Sequence, residues 1–189
     1  MEIKILLVIL AGLVIVYALY ASIIKNRNKA LEALSGIDVQ LNKRHDLIPN
    51  ILTIAKKFME HERGLLTEVT ELRAQAMQGY DKNSKEQVAQ HLSLESALQG
   101  KMGQLMVAVE AYPDLKSDTS MVTAQQTYNE VEENIAASRR FYNSAVNQLN
   151  NSVQIFPSSM IAGWIGIGEM PLFEADESVK APVNAQDFL

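Results

Sequence analysis

The chain has three histidines, His45, His61 and His91, and no cysteine. Without thiols there are no disulfides, no zinc–thiolate centres and no cysteine nucleophile. Metal sites inside helical bundles typically pair Glu-x-x-His on two helices with two further glutamates. No Glu-x-x-His occurs in this sequence, and His61-Glu62 lacks the second histidine of a zinc protease motif. His91 and Glu95 are four apart and share a helix face, which reads most simply as a hydrogen bond at a surface or rim. Gly163, Gly166 and Gly168 do not have the spacing of a phosphate cradle, and no Lys-Ser/Thr follows them. Ser22 to Lys25 formally matches Ser-x-x-Lys but has no companion motif, and no G-x-S-x-G is present. The expectation is therefore a protein with no catalytic residue, no metal site and no cofactor, and not an enzyme.

One stretch does gather charge where it is not expected. "IDVQLNKRHDLIPNILTIAKKF", residues 37 to 58, carries Asp38, Arg44, His45, Asp46 and Pro49 among apolar residues spaced for a helix. Proline removes one backbone hydrogen bond and clashes with the carbonyl four residues earlier, here that of His45. One reading is a buried polar network that fixes helix register, with Arg44 paired to a carboxylate and Glu62 further along the same stripe. The other is a drifting stripe whose charges are solvated.

The elements that must position these residues begin with the amino terminus. From Ile5 to Ile24, "ILLVILAGLVIVYALYASII" contains no charge. As a helix it spans about 30 Å, the hydrocarbon thickness of a bilayer. A cleaved signal peptide fits poorly, because a site near Ala21 would put Leu19 at −3, and Lys25, Arg27 and Lys29 follow as a stop-transfer flank. Lys25, Arg27, Lys29, Lys43 and Arg44 against Lys4 place the bulk of the chain in the cytoplasm and the N-terminus outside. Ala18 and Ser22 have the small-xxx-small spacing that lets membrane spans pack closely. With a net charge of −5 and no Lys/Arg run interleaved with aromatics, the chain lacks the footprint of a nucleic-acid binder.

The remainder of the 189 residues reads as all-α. An apolar stripe runs from Leu31 to about Gln75, with the first break at "MQGYDKNS", 77 to 84. Ser84 and Gln87 form a capping box for a second long helix that ends before Pro113. In the third, Met121, Tyr128, Ile135, Tyr142 and Leu149 are each seven apart, the repeat of a left-handed coiled coil. The expected organisation is a tip (1–4), a transmembrane helix (5–24), an antiparallel up-and-down helical bundle domain (25–162), and an apolar, glycine-rich then acidic tail (163–189). Three long helices and a short C-terminal one make up the fold. The first outruns its partner, so it must form a stalk, bend back or pair with other copies. Met160, Ile161, Trp164, Ile165 and Ile167 either cap the core or rest on a bilayer surface.

In order along the chain, "IDVQLNKRHDLIPN", "AYPDLK", "ENIAASRRFYNSAVNQLN" and "FPSSMIA" behind the span resemble the LemA family of bacterial membrane proteins. The resemblance implies a helical bundle behind a single anchor and supplies no catalytic residue. It places Arg44, His45, Asp46, Pro49 and Asn50, and Asn134, Arg139, Tyr142 and Asn143, in signature segments, where they hold helices in register or meet partners. One branch of that family helps build magnetosome membranes, an analogy that suggests a membrane-organising scaffold. The expectation is thus a single-pass, self-associating scaffold whose partners are membrane lipid and further copies of itself. The alternative is a regulatory adaptor that docks a membrane protease or sensor through its helical bundle.

Overall fold

The computed structural model describes residues 1–174; the acidic part of the tail expected over 163–189 lies, from residue 175 on, outside them. The described residues are helical with no strand: α1 (Glu2–Ala55), α2 (Arg63–Ala76), α3 (Lys85–Val109), α4 (Pro113–Lys116), α5 (Thr119–Gln154) and α6 (Ser158–Ile165). They form two compact units, with α1, α3 and α5 each contributing residues to both.

The seam is a heptad. In α1 the buried Ile23, Ala30, Ile37, Arg44 and Ile51 are each seven apart, with Leu34, Leu41, Ile48 and Ala55 as companions. In α3 the series is Val88, Glu95, Met102 and Val109, and in α5 it is Met121, Tyr128, Ile135, Tyr142 and Leu149. A sustained repeat of seven keeps one face of each helix on the core. Arg44 and Glu95 are the charged residues on these seams.

Among the described residues, one unit comprises residues 41–80 and 89–133 with Phe173 and Glu174. Its core contains Ile48, Leu52 and Ala55 of α1, Leu66 and Val69 of α2, Leu98 and Met102 of α3, Leu115 of α4 and Tyr128 of α5. The long first helix does not continue to Gln75. It ends at Ala55, with Phe58 and Met59 both donating to the Ala55 carbonyl (3.0 and 2.9 Å), and a 3-10 turn at Glu60–Glu62 leads into α2. The wholly buried Met59 anchors the reversal. Bending back lets the apolar stripe of α2 be buried by its own chain, and no glycine or proline between 56 and 62 signals it.

The other unit comprises residues 1–40, 81–88 and 134–172. The Asn26 amide donates to Ser152 Oγ (2.6 Å), and Lys82 pairs with Asp38 (2.6 Å). The segment after α6 is strapped to α5: the Tyr142 hydroxyl donates to the Pro171 carbonyl (2.7 Å), and the Asn150 amide both donates to and accepts from the Met170 backbone (3.0 Å each).

The caps follow the sequence in part. Ser84 Oγ accepts from the Gln87 N–H (3.3 Å), but Gln87 Oε1 takes the Asp81 N–H, so only half of the capping box is made. Asp118 Oδ1 caps α5 at the Met121 N–H (3.0 Å). Gly166, at φ +68°, closes α6: its N–H bonds the Gly163 carbonyl, and the Ile167 N–H reaches back to Ala162. That left-handed closure requires a residue without a Cβ penalty.

Candidate functional site

Within the unit that contains the end of α1, Arg44 lies wholly buried and is held by three acceptors. It forms a salt bridge with the equally buried Glu95 carboxylate, donates to the Glu95 carbonyl (3.0 Å) through Nη2, and donates to Glu132 Oε1 (3.1 Å) through Nη1. Gln99 donates to the other Glu132 oxygen (3.0 Å). His45 Nε2 stands 3.0 Å and 3.3 Å from the two Glu95 oxygens. An ionised carboxylate only accepts, so Nε2 is a protonated nitrogen of that ring. The planar guanidinium fork thus ties α3 and α5 to α1.

The electrostatics are those of paired buried charge. Burial disfavours the Arg44 cation, but the Glu132 and Glu95 carboxylates outweigh it and raise its pKa above the ordinary value. Burial likewise opposes the Glu95 anion, while the His45 hydrogen bond and the Arg44 charge together lower its pKa. The Tyr128 phenol is pushed well above its usual range, first by burial and then by the neighbouring Glu132, so its hydroxyl is held neutral. The charges are committed to one another, and no activated nucleophile stands among them. Among the described residues no three His, Asp or Glu side chains converge as metal ligands. What the arrangement can do is hold three helices in one register.

Pro49 is explained one turn further on. Its missing N–H leaves the His45 carbonyl without an intrahelical donor, and Arg73 Nε of α2 fills that place at 2.8 Å. Arg73 is ten residues into α2, as His45 is ten residues from the end of α1, so α2 runs back alongside α1. The helix passes through Pro49 unbroken.

The sequence-expected residues divide. Arg44 and His45 enter the network, whereas Asp46, Pro49, Asn50 and Asn134 are exposed and Arg139 and Asn143 are half-buried. Asp38 pairs with Lys82 in the other unit, where Tyr142 also lies, and Ala18 and Ser22 are exposed. The surface or rim pairing expected of His91 and Glu95 is corrected. His91 Nε2 stands 3.9 Å from Glu95 Oε1, Glu95 is fully buried and His91 stacks on Tyr80 with centroids 4.1 Å apart. Spacing along the chain flags neither Glu132, Gln99 nor Arg73, and offers Glu95 only as a partner for His91. Glu95 did carry a signal, since a carboxylate seven residues from both Val88 and Met102 occupies a core position.

In the other unit a cleft of about 450 Å³ is lined by Arg27, Lys82 and Lys85 with the 166–171 segment, and its lysines are matched by Asp38 and Glu169. Before Leu19, α1 is exposed throughout. Its apolar window is only 6% buried, and it is the single described helix long and apolar enough to cross a membrane.

Comparison with known proteins gives two findings. The model of the LemA family matches residues 33–186. A protein described as "Protein LemA", from Metamycoplasma hominis, is 21% identical over 166 residues, covering 87% of this chain and 73% of that one.

Proposed function

The chain belongs to the LemA family, and from that premise we propose that it is a non-enzymatic, single-pass membrane scaffold that self-associates to organise lipid or membrane proteins. The observation that carries the reading is the exposed first third of α1. Leu6, Leu10 and Leu13 are 56–66% exposed, and no described residue of the same chain covers them. So long an apolar surface requires lipid or further copies around it. The buried network supports a rigid scaffold, because its charges are spent on one helix alignment rather than held ready for a substrate. Self-association rests on Ala18 and Ser22. Both are exposed and one helical turn apart, so a second span can approach closely there. The basic flank at Lys25, Arg27 and Lys29 supports a cytoplasmic location for the bundle.

The absence of native cysteine makes the test clean. Single Ala18→Cys and Leu10→Cys variants are oxidised in native membranes. Stronger disulfide dimer formation at position 18 than at position 10 is the expected result. No homodimer at either site, with crosslinks appearing instead to a different membrane protein, replaces the scaffold by the adaptor reading.

A further inference from the structure

The last helix is two-faced. Ile161 and Ala162 are buried against Ile23, with Leu19, Val153 and Ile167 packed around them. The opposite side and the preceding turn are bare: Trp164 is 77% exposed, Phe156 74% and Met160 51%. From Ile155 to Gly168 the chain has no charged residue. A soluble surface rarely carries so contiguous an apolar patch without a partner.

Where α6 docks decides the partner. Leu19 and Ile23 are the last turns of the apolar segment that ends at Ile24, so α6 is seated within about 8 Å, along the axis of α1, of the end of that segment. With the span in a bilayer, that depth is the boundary between acyl chains and headgroups, where tryptophan is favoured. Lys25 and Lys29, exposed just beyond, lie at the level of lipid phosphates. Rotation by about 100° per residue turns the Ala18–Ser22 pair about a quarter turn around α1 from the Leu19–Ile23 contact with α6. We infer that α6 and the Ile155–Phe156 turn form a second membrane contact, an interfacial foot that rests on lipid beside the transmembrane helix and fixes how the bundle stands on the bilayer. The inference rests on the membrane-anchor reading.

Trp164 is the sole tryptophan of the chain, so the native protein carries its own probe. Full-length protein is reconstituted in phosphatidylcholine–phosphatidylglycerol vesicles whose acyl chains are brominated near the headgroup or near the chain end, and co-flotation is checked first. The expected result is blue-shifted emission, stronger quenching by shallow than by deep bromines, and at least a several-fold lower sensitivity to aqueous iodide than free tryptophan. Co-floating protein whose Trp164 is fully open to iodide and untouched by bromine overturns the foot while leaving the anchor standing. Protection from both quenchers overturns it in favour of a protein cover, and stronger quenching by deep bromines overturns the interfacial depth. Failure to co-float removes the anchor reading itself.

Discussion

Arg44→Met removes the cation that faces two carboxylates, Glu95 and Glu132, and strands the wholly buried one with only His45 at 3.0 Å and the more distant His91 at 3.9 Å. Removing one partner of a buried pair costs roughly 3–5 kcal/mol, because the other charge remains unmatched in a poor solvent for it. Glu95→Gln is milder. Arg44 keeps Glu132 at 3.1 Å, and the amide can still accept a hydrogen bond, so the loss is about 1–3 kcal/mol. Arg44→Met combined with Glu95→Leu takes both charges out and should regain at least about 2 kcal/mol over Arg44→Met alone, since a buried pair can be replaced by apolar groups at little cost. For a chain of this size about 1 kcal/mol corresponds to roughly 2–4 °C. Arg44→Met is therefore expected to melt about 6–20 °C below wild type. Thermal unfolding of the full-length proteins in dodecyl maltoside, followed by circular dichroism at pH 7, gives the order. Glu95→Gln falling further than Arg44→Met, or a double variant no better than Arg44→Met, refutes the assignment of Arg44 as the hub of a buried network.

Arg73→Met should cost about 1–3 kcal/mol by exposing the His45 carbonyl, and almost nothing in a Pro49→Ala background, where the alanine supplies the missing N–H; a double-mutant cycle by urea unfolding measures the coupling. The Glu95 carboxyl titrates below its ordinary 4.5, so its contribution is fully present above that value and is lost as pH falls through the depressed one. The gap in melting temperature between wild type and Glu95→Gln should hold from pH 7 to about 5 and narrow as the pH is lowered below about 4. Tyr142→Phe removes the hydrogen bond to the Pro171 carbonyl and should cost about 0.5–1.5 kcal/mol, with faster amide exchange across the 167–172 segment as the local readout.

Much of this was legible because helical periodicity is a strong signal and burial obeys it. The apolar segment 5–24, the seven-residue series of α5 and the stop at Pro113 all read directly from spacing, and the all-α fold follows. Arg44 could be flagged because it sits among apolar residues, midway between Ile37 and Ile51. Its partners could not be assigned, since a carboxylate on another helix is chosen by packing and not by separation along the chain. Glu95 shows how near the limit was, as its place in the α3 heptad made it a core position while its pairing with His91 suggested a rim. The turn after Ala55 was illegible for a different reason. Lys56 to Glu62 contain no helix breaker, and the reversal is driven by burial of Met59 and the α2 stripe, a tertiary gain that local propensity does not record.

If the exposed span gathers copies of the chain into an assembly, the particle must be heavier than one chain. The most direct measurement is the mass of the full-length protein in native lipid particles, by light scattering with direct imaging of the same sample. A closed homo-oligomer with its spans clustered, weakened by Ala18→Leu, is the predicted result. A particle holding one 21.0 kDa chain and no second copy contradicts it.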